Sequence, residues 1–205
     1  MKKSIALKPL AALLLSLVLF PLAPSKALAG EPTQQVKETV DEVINILNDK
    51  ELKKPDKRKE RSAKIREVVE QRFDFAEMAK RSLGIYWRQR TPEEQKDFVS
   101  LFSDLLEDTY IRKIERYEHE KVTYVGEMMQ GPYATVKTVI ITTKEVEIPV
   151  NYKIFKSGTK WEVYDIIVEG VSLVNNYRTQ FYQIIGSGSY ADLVKKLKAK
   201  VLESR

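Results

Sequence analysis

Near Glu120 the hydrophobic period of this 205-residue chain changes from helical to alternating, and that switch narrows the possible folds more than any other feature. Before it, Val36, Val40, Val43, Ile44 and Leu47 recur at helical spacing, which predicts an amphipathic helix ending near Asp49. Pro55 interrupts, and Ile65, Val68 and Val69 mark a second helix. Asp74 is placed to cap a short third helix carrying Phe75, Met78, Ala79 and Leu83, with Gly84 as its stop. Thr91-Pro92-Glu93-Glu94 reads as a capping box with proline where no N–H is needed. The helix it opens is expected to run to about Tyr117 behind a wide apolar stripe that includes Phe98, Phe102, Leu105 and Ile111. Beyond Glu120, residues 122–129, 133–143, 146–155 and 160–168 read as antiparallel strands. Gly131-Pro132, Thr143-Lys144-Glu145 and Ser157-Gly158 mark the turns between them. Pro149 inside the third run argues against pairing along its whole length. Helical spacing returns from Ser172 to Ile185 and from Tyr190 to Leu202. Helices followed by a contiguous meander predict an α+β domain. The expected form is a curved antiparallel sheet of about four strands with helices packed on one face.

The N-terminus carries a separate message. Lys2 and Lys3 precede an apolar run from Leu10 to Leu22, and Ala27-Leu28-Ala29 supplies small residues at a cleavage site. That is the layout of a secretory signal peptide over residues 1–29. The run is shorter than the roughly twenty apolar residues of a membrane span, although an uncleaved anchor is the alternative. The expected mature chain, residues 30–205, is a single domain working outside the cytoplasm. The signal segment holds four lysines and no acid, so cleavage leaves 31 basic against 29 acidic residues, a net charge of +2. No basic excess survives to suggest a nucleic-acid partner. With no cysteine anywhere, an exported domain must stand on its hydrophobic core rather than on disulfides.

Catalytic constellations are thin. The one histidine, His119, sits between Glu118 and Glu120 in a charged stretch, and no triad can be assembled around it. Nothing has the spacing of a zinc site, a calcium loop or a phosphate cradle, so no metal or cofactor is expected. Asp165, beside Tyr164, and Glu169 are the only carboxylates to weigh as bases. Tyr164 and Asp165 point to opposite faces in a regular strand, which weakens any shared role. Trp87, Tyr110, Tyr152, Trp161, Tyr177, Phe181 and Tyr182 instead accompany aliphatics on nearly every element. Either they fill an ordinary core or they enclose an apolar cavity, and periodicity places the same residue types inward in both cases.

The segment Tyr164-Asp165-Ile166-Ile167-Val168-Glu169-Gly170-Val171-Ser172-Leu173-Val174, continued by Asn176-Tyr177-Arg178 and Phe181, resembles the MlaC, or toluene-tolerance, family. Phe73-Asp74-Phe75, Met78-Ala79, Leu83-Gly84, Trp87, Thr91-Pro92-Glu93-Glu94 and the run from Phe98 to Tyr110 are similar to the family's helical front half, in the same order. The resemblance covers essentially the whole mature chain. It implies a monomeric periplasmic carrier that takes phospholipid between an outer-membrane lipoprotein complex and an inner-membrane ABC transporter. It also implies a cavity between sheet and helices for the acyl chains, with the headgroup near solvent. Hopanoid or another apolar ligand, a small cone-fold enzyme and a protein-interaction module are the alternatives. On the elements the resemblance places around the ligand, the candidate contacts are Val139, Ile141, Ile148, Val150, Tyr152 and Ile154 on the second and third strands. Trp161 and Val163 on the fourth strand, and Val171, Leu173, Tyr177 and Phe181 at the corner and in the following helix, complete them. Gly170 is expected to supply a special backbone conformation at that corner, and Ser172 to cap the helix after it.

Overall fold

A computed structural model describes residues 30–204. The signal segment expected over residues 1–29, with its cleavage near Ala29, lies outside the described residues. The chain runs α1 (Glu31–Asn48), α2 (Arg58–Glu70), α3 (Phe75–Leu83) and α4 (Pro92–Ile114), with 3-10 turns at Pro55–Lys57 and Gly84–Gln89. The sheet follows as β1 (Lys121–Gln130), β2 (Tyr133–Ile141), β3 (Glu147–Ser157), β4 (Lys160–Val168) and β5 (Val171–Ser172), and α5 (Leu173–Ser187) and α6 (Tyr190–Ser204) end the chain. The fold is α+β, and the sheet is an open antiparallel meander in sequence order. It has five strands rather than about four, because Glu169 and Gly170 both adopt positive φ, 49° and 82°. Two left-handed residues in succession make the tight hairpin turn whose twist suits paired strands, and β5 folds back so that Val171 faces Val168.

The helix signals act as read. Asp74 accepts from the Glu77 N–H at 2.8 Å. Thr91 and Glu94 form a reciprocal capping box at the start of α4. That helix ends at Ile114, a turn short of the expected Tyr117. Pro149 is paired on both sides of its strand: it stands opposite Val139 of β2, and its carbonyl accepts from Glu169 N–H at 3.0 Å. A residue's N–H and C=O point the same way in an antiparallel strand. The donor that proline lacks therefore falls toward β4, just where that ladder has ended at the Val150–Val168 pair.

Apolar packing among the described residues falls into three clusters, the smallest joining Leu47 of α1, Ile65 of α2 and Ile111 of α4. Met78 and Leu83 of α3, Phe98 and Phe102 of α4, Phe181 of α5 and Leu193 of α6 belong to one buried helical cluster. A second joins Val36 of α1 to Ala134, Val136, Ile154, Trp161 and Val163 on one face of the sheet. Phe73 touches both. Its segment lies alongside β4: Val163 N–H donates to the Arg72 carbonyl at 2.8 Å, and Asp74 N–H to the Val163 carbonyl at 3.0 Å. The helical lobe is thereby fastened to the sheet, and α1 is left to cover the sheet's inner face.

Candidate functional site

The covering helix does not close down on the sheet along its whole length. Val36 is 2 % exposed, but Val40, Val43 and Ile44 on the same stripe are only half-buried. They face a cleft of about 430 Å³, within the roughly 300–1,000 Å³ of small-molecule sites. Its helical wall is α1 with Val69 of α2, Ile114 of α4 and Tyr117. Its sheet wall is Val122, Ile140, Ile148, Tyr152, Val163 and Ile166. Apolar atoms dominate the lining, and the polar residues on it are Thr39, Arg72, Lys113, Glu120 and Thr142.

Each wall is held by polar contacts at its margin. The N-terminal turn of α1 is pinned to β1 by Glu127, whose carboxylate accepts from Thr33 N–H at 2.9 Å and from Thr33 Oγ1 at 2.6 Å. A carboxylate at a helix N-terminus is also favoured by the helix dipole. Arg72 ties α1 to β4: its Nε donates to Thr39 Oγ1 at 3.0 Å, and its Nη1 to Gln35 Oε1 at 2.6 Å and the Trp161 carbonyl at 2.8 Å. Burial pulls the Arg72 guanidinium below its ordinary pKa, a cost these hydrogen bonds offset. Arg72 thus braces the walls. Burial pushes the Tyr152 hydroxyl up to about 12, so it faces the cleft as a neutral group.

Of the residues picked out from the sequence, Ile148, Tyr152 and Val163 line this cleft. Ile154 and Trp161 are buried beside Val163 in the inner-face cluster, and Val150 is buried on the same face of β3. Val139 and Ile141 flank the lining residue Ile140, and alternation turns them to the opposite face. Tyr177 and Phe181 belong to the helical cluster and Leu173 packs against it, while Val171 is 60 % exposed on its turn. None of these four borders the cleft. Asp165 serves as a structural acceptor, taking Ser172 Oγ at 2.6 Å and Val174 N–H at 3.0 Å. Ser172 in turn caps α5 by accepting from Asn175 N–H at 3.0 Å. His119 is exposed in the connection between α4 and β1. Sequence reasoning left out the α1 wall, although the stripe Val36, Val40, Val43, Ile44 and Leu47 was legible as a helix face.

Among the described residues no helix is long and apolar enough to cross a membrane, and no group of three or more His, Cys, Asp or Glu is gathered as a metal site would require. Such an arrangement can hold an elongated apolar molecule between helix and sheet.

Comparisons with known proteins place the chain in a family. The chain is 24 % identical over 121 residues to the intermembrane phospholipid transport system binding protein MlaC of Haemophilus influenzae, covering 57 % of this chain and 56 % of the relative. It is 27 % identical over 97 residues to the toluene tolerance protein ttg2D of Pseudomonas putida, covering 47 % and 45 %. These matches span about half the length of the curated relatives. A phospholipid-binding protein from Ralstonia solanacearum, solved in complex with a phospholipid, superposes with a TM-score of 0.74 at 27 % identity, over 85 % of this chain and 99 % of that one. The model of the MlaC protein family matches residues 37–199, from α1 into α6, and the chain belongs to that family.

Proposed function

We propose that this chain is a periplasmic phospholipid carrier, which holds acyl chains in the cleft beneath α1 and shuttles lipid between an outer-membrane lipoprotein complex and an inner-membrane ABC transporter. The observation that carries this reading is the apolar cleft itself, walled by Val40, Val43 and Ile44 on one side and Ile148, Tyr152 and Val163 on the other. The phospholipid bound to the Ralstonia solanacearum neighbour supports the ligand class, and the signal-peptide layout of residues 1–29 supports the compartment. The reading is of a monomeric carrier, not an enzyme: the buried carboxylate Asp165 is engaged in capping α5.

The energetics explain why a carrier would be needed. Each methylene kept from water is worth about 0.8 kcal/mol, so two chains of about fifteen methylenes represent roughly 24 kcal/mol gross. Release into water is then negligible. Delivery takes place while the carrier is docked, with the receiving complex offering an apolar path or favouring a closed cleft. Native mass spectrometry of the purified mature chain tests the reading. Co-purified phospholipid, exchangeable with added vesicles, is the expected result; protein that stays empty after incubation with vesicles would overturn it.

A further inference from the structure

The apolar walls of the cleft give way at one end to a charged rim. Lys113 stands exposed on the last turn of α4, with its ammonium 4.9 Å from the centroid of the Tyr110 ring. A ring face attracts a cation but supplies no countercharge. Glu120 is half-buried just before β1, and one carboxylate oxygen accepts from the Glu118 N–H at 2.7 Å, a contact that orients the group without neutralising it. The β1–β2 ladder ends at the Lys121–Ile141 pair, so Glu120 and Thr142 stand one step beyond the same end. All three residues line the cleft. The other two polar lining residues, Arg72 and Thr39, bond each other, so they brace the wall and leave the rim as the place where opposite charges meet a ligand.

Resting on the carrier reading of this same cleft, we propose that the rim reads the headgroup and favours a zwitterionic phospholipid bearing a primary ammonium. The phosphate meets Lys113 and the ammonium meets Glu120. With the tails against the apolar walls, the headgroup leaves the cleft between these two charges, one for each of its own. An anionic headgroup without an amine still pairs its phosphate with Lys113 but leaves the Glu120 carboxylate beside it without a countercharge.

The test is competitive loading. Delipidated mature protein is incubated with vesicles of equimolar phosphatidylethanolamine and phosphatidylglycerol, and native mass spectrometry reads the bound species. Solvent-exposed ion pairs are weak, so the wild type is expected to favour phosphatidylethanolamine by only about two- to five-fold. Glu120→Gln should bring the ratio near unity and Glu120→Lys should reverse it, with unchanged circular dichroism. Bound lipid that mirrors the vesicle composition, or variants that keep the wild-type ratio, would overturn the headgroup assignment and leave the carrier reading standing. A wild type that takes up neither lipid would overturn both.

Discussion

Asp165 and Glu107 are both 6 % exposed, and the fold treats the two buried carboxylates in opposite ways. Asp165 accepts two hydrogen bonds, one from the Ser172 hydroxyl that caps α5 and one from the Val174 N–H in the first turn of that helix. Removing the cap by Ser172→Ala therefore does more than free one helix N–H. It also strips Asp165 of a donor inside the protein, so the cost should exceed the roughly 1 kcal/mol of a simple cap, reaching about 2 kcal/mol in urea unfolding. A loss below about 0.5 kcal/mol would mean that water replaces the serine. Glu107, in the groove between α2 and α4, has Arg66 Nε at 2.6 Å, but that N–H is not aimed at the carboxylate. Burial raises its carboxyl from the ordinary 4.5 to about 7, against the opposing pull of Arg66. The folded state thus holds a proton the unfolded chain has given up, and stability is lost as pH climbs from about 4.5 to about 7. Glu107→Gln should abolish that loss. The melting temperature of the variant should rise relative to wild type across this window, by a few degrees for about 1 kcal/mol. A variant less stable than wild type at pH 7.5 would show that the Arg66 pair outweighs burial.

At the scale of elements, α1 is the helical wall of the cleft. Its central apolar residues are half-buried because they face a hollow, and it is fastened by Glu127 at its N-terminal turn and by Arg72 along its flank. Arg72→Met keeps most of the side-chain volume and deletes three hydrogen bonds, two to α1 and one to β4. Amide exchange across residues 36–47 should then speed up by at least ten-fold, while α3 to α6 keep their protection. Uniform acceleration would instead mean that α1 opens only with the whole molecule. The helix itself was legible from Val36, Val40, Val43, Ile44 and Leu47, as were the caps at Asp74, Thr91 and Ser172, since each depends on neighbours within a few residues. Its place over the sheet was not, because amphipathic spacing reports that one face is covered but not by what. Strand parity failed for a related reason. Val139, Ile140 and Ile141 are all apolar, so alternation cannot choose a face, and the choice falls to the register set at the Gly131-Pro132 turn and the irregularity between Tyr124 and Gly126. The tight turn at Glu169-Gly170 shows the same limit: Gly170 announced a special backbone, but pairing of Val171 with Val168 depends on the sheet already being there.

For the molecule as a whole, the proposed carrier function would divide stability from binding between the solid helical lobe and the hollow beside the sheet. In the helical lobe Phe102 packs edge-on to Tyr177 at 5.2 Å and to Phe181 at 5.6 Å and stacks on Phe98 at 5.9 Å, with none of its surface exposed. Ile44 lines the cleft and is only half-buried, so it has fewer contacts to lose. A side chain contributes to folding through the contacts it makes. Phe102→Ala should therefore cost about 3–5 kcal/mol, and Ile44→Ala under about 1 kcal/mol in the delipidated protein. On the carrier reading, lipid should reverse the order of sensitivity. A ligand bound only by the folded state adds about 2.7 kcal/mol at a hundred times its dissociation constant, and that increment passes through the cleft walls. Ile44→Trp, which narrows the hollow, should diminish the lipid-dependent rise in melting temperature while leaving the delipidated protein within about 1 kcal/mol of wild type. Urea unfolding of the three variants with and without vesicle-loaded phospholipid separates the two regions. If Ile44→Ala proves as costly as Phe102→Ala without lipid, α1 packs directly on the sheet in solution, and the cleft has to open before anything can enter it.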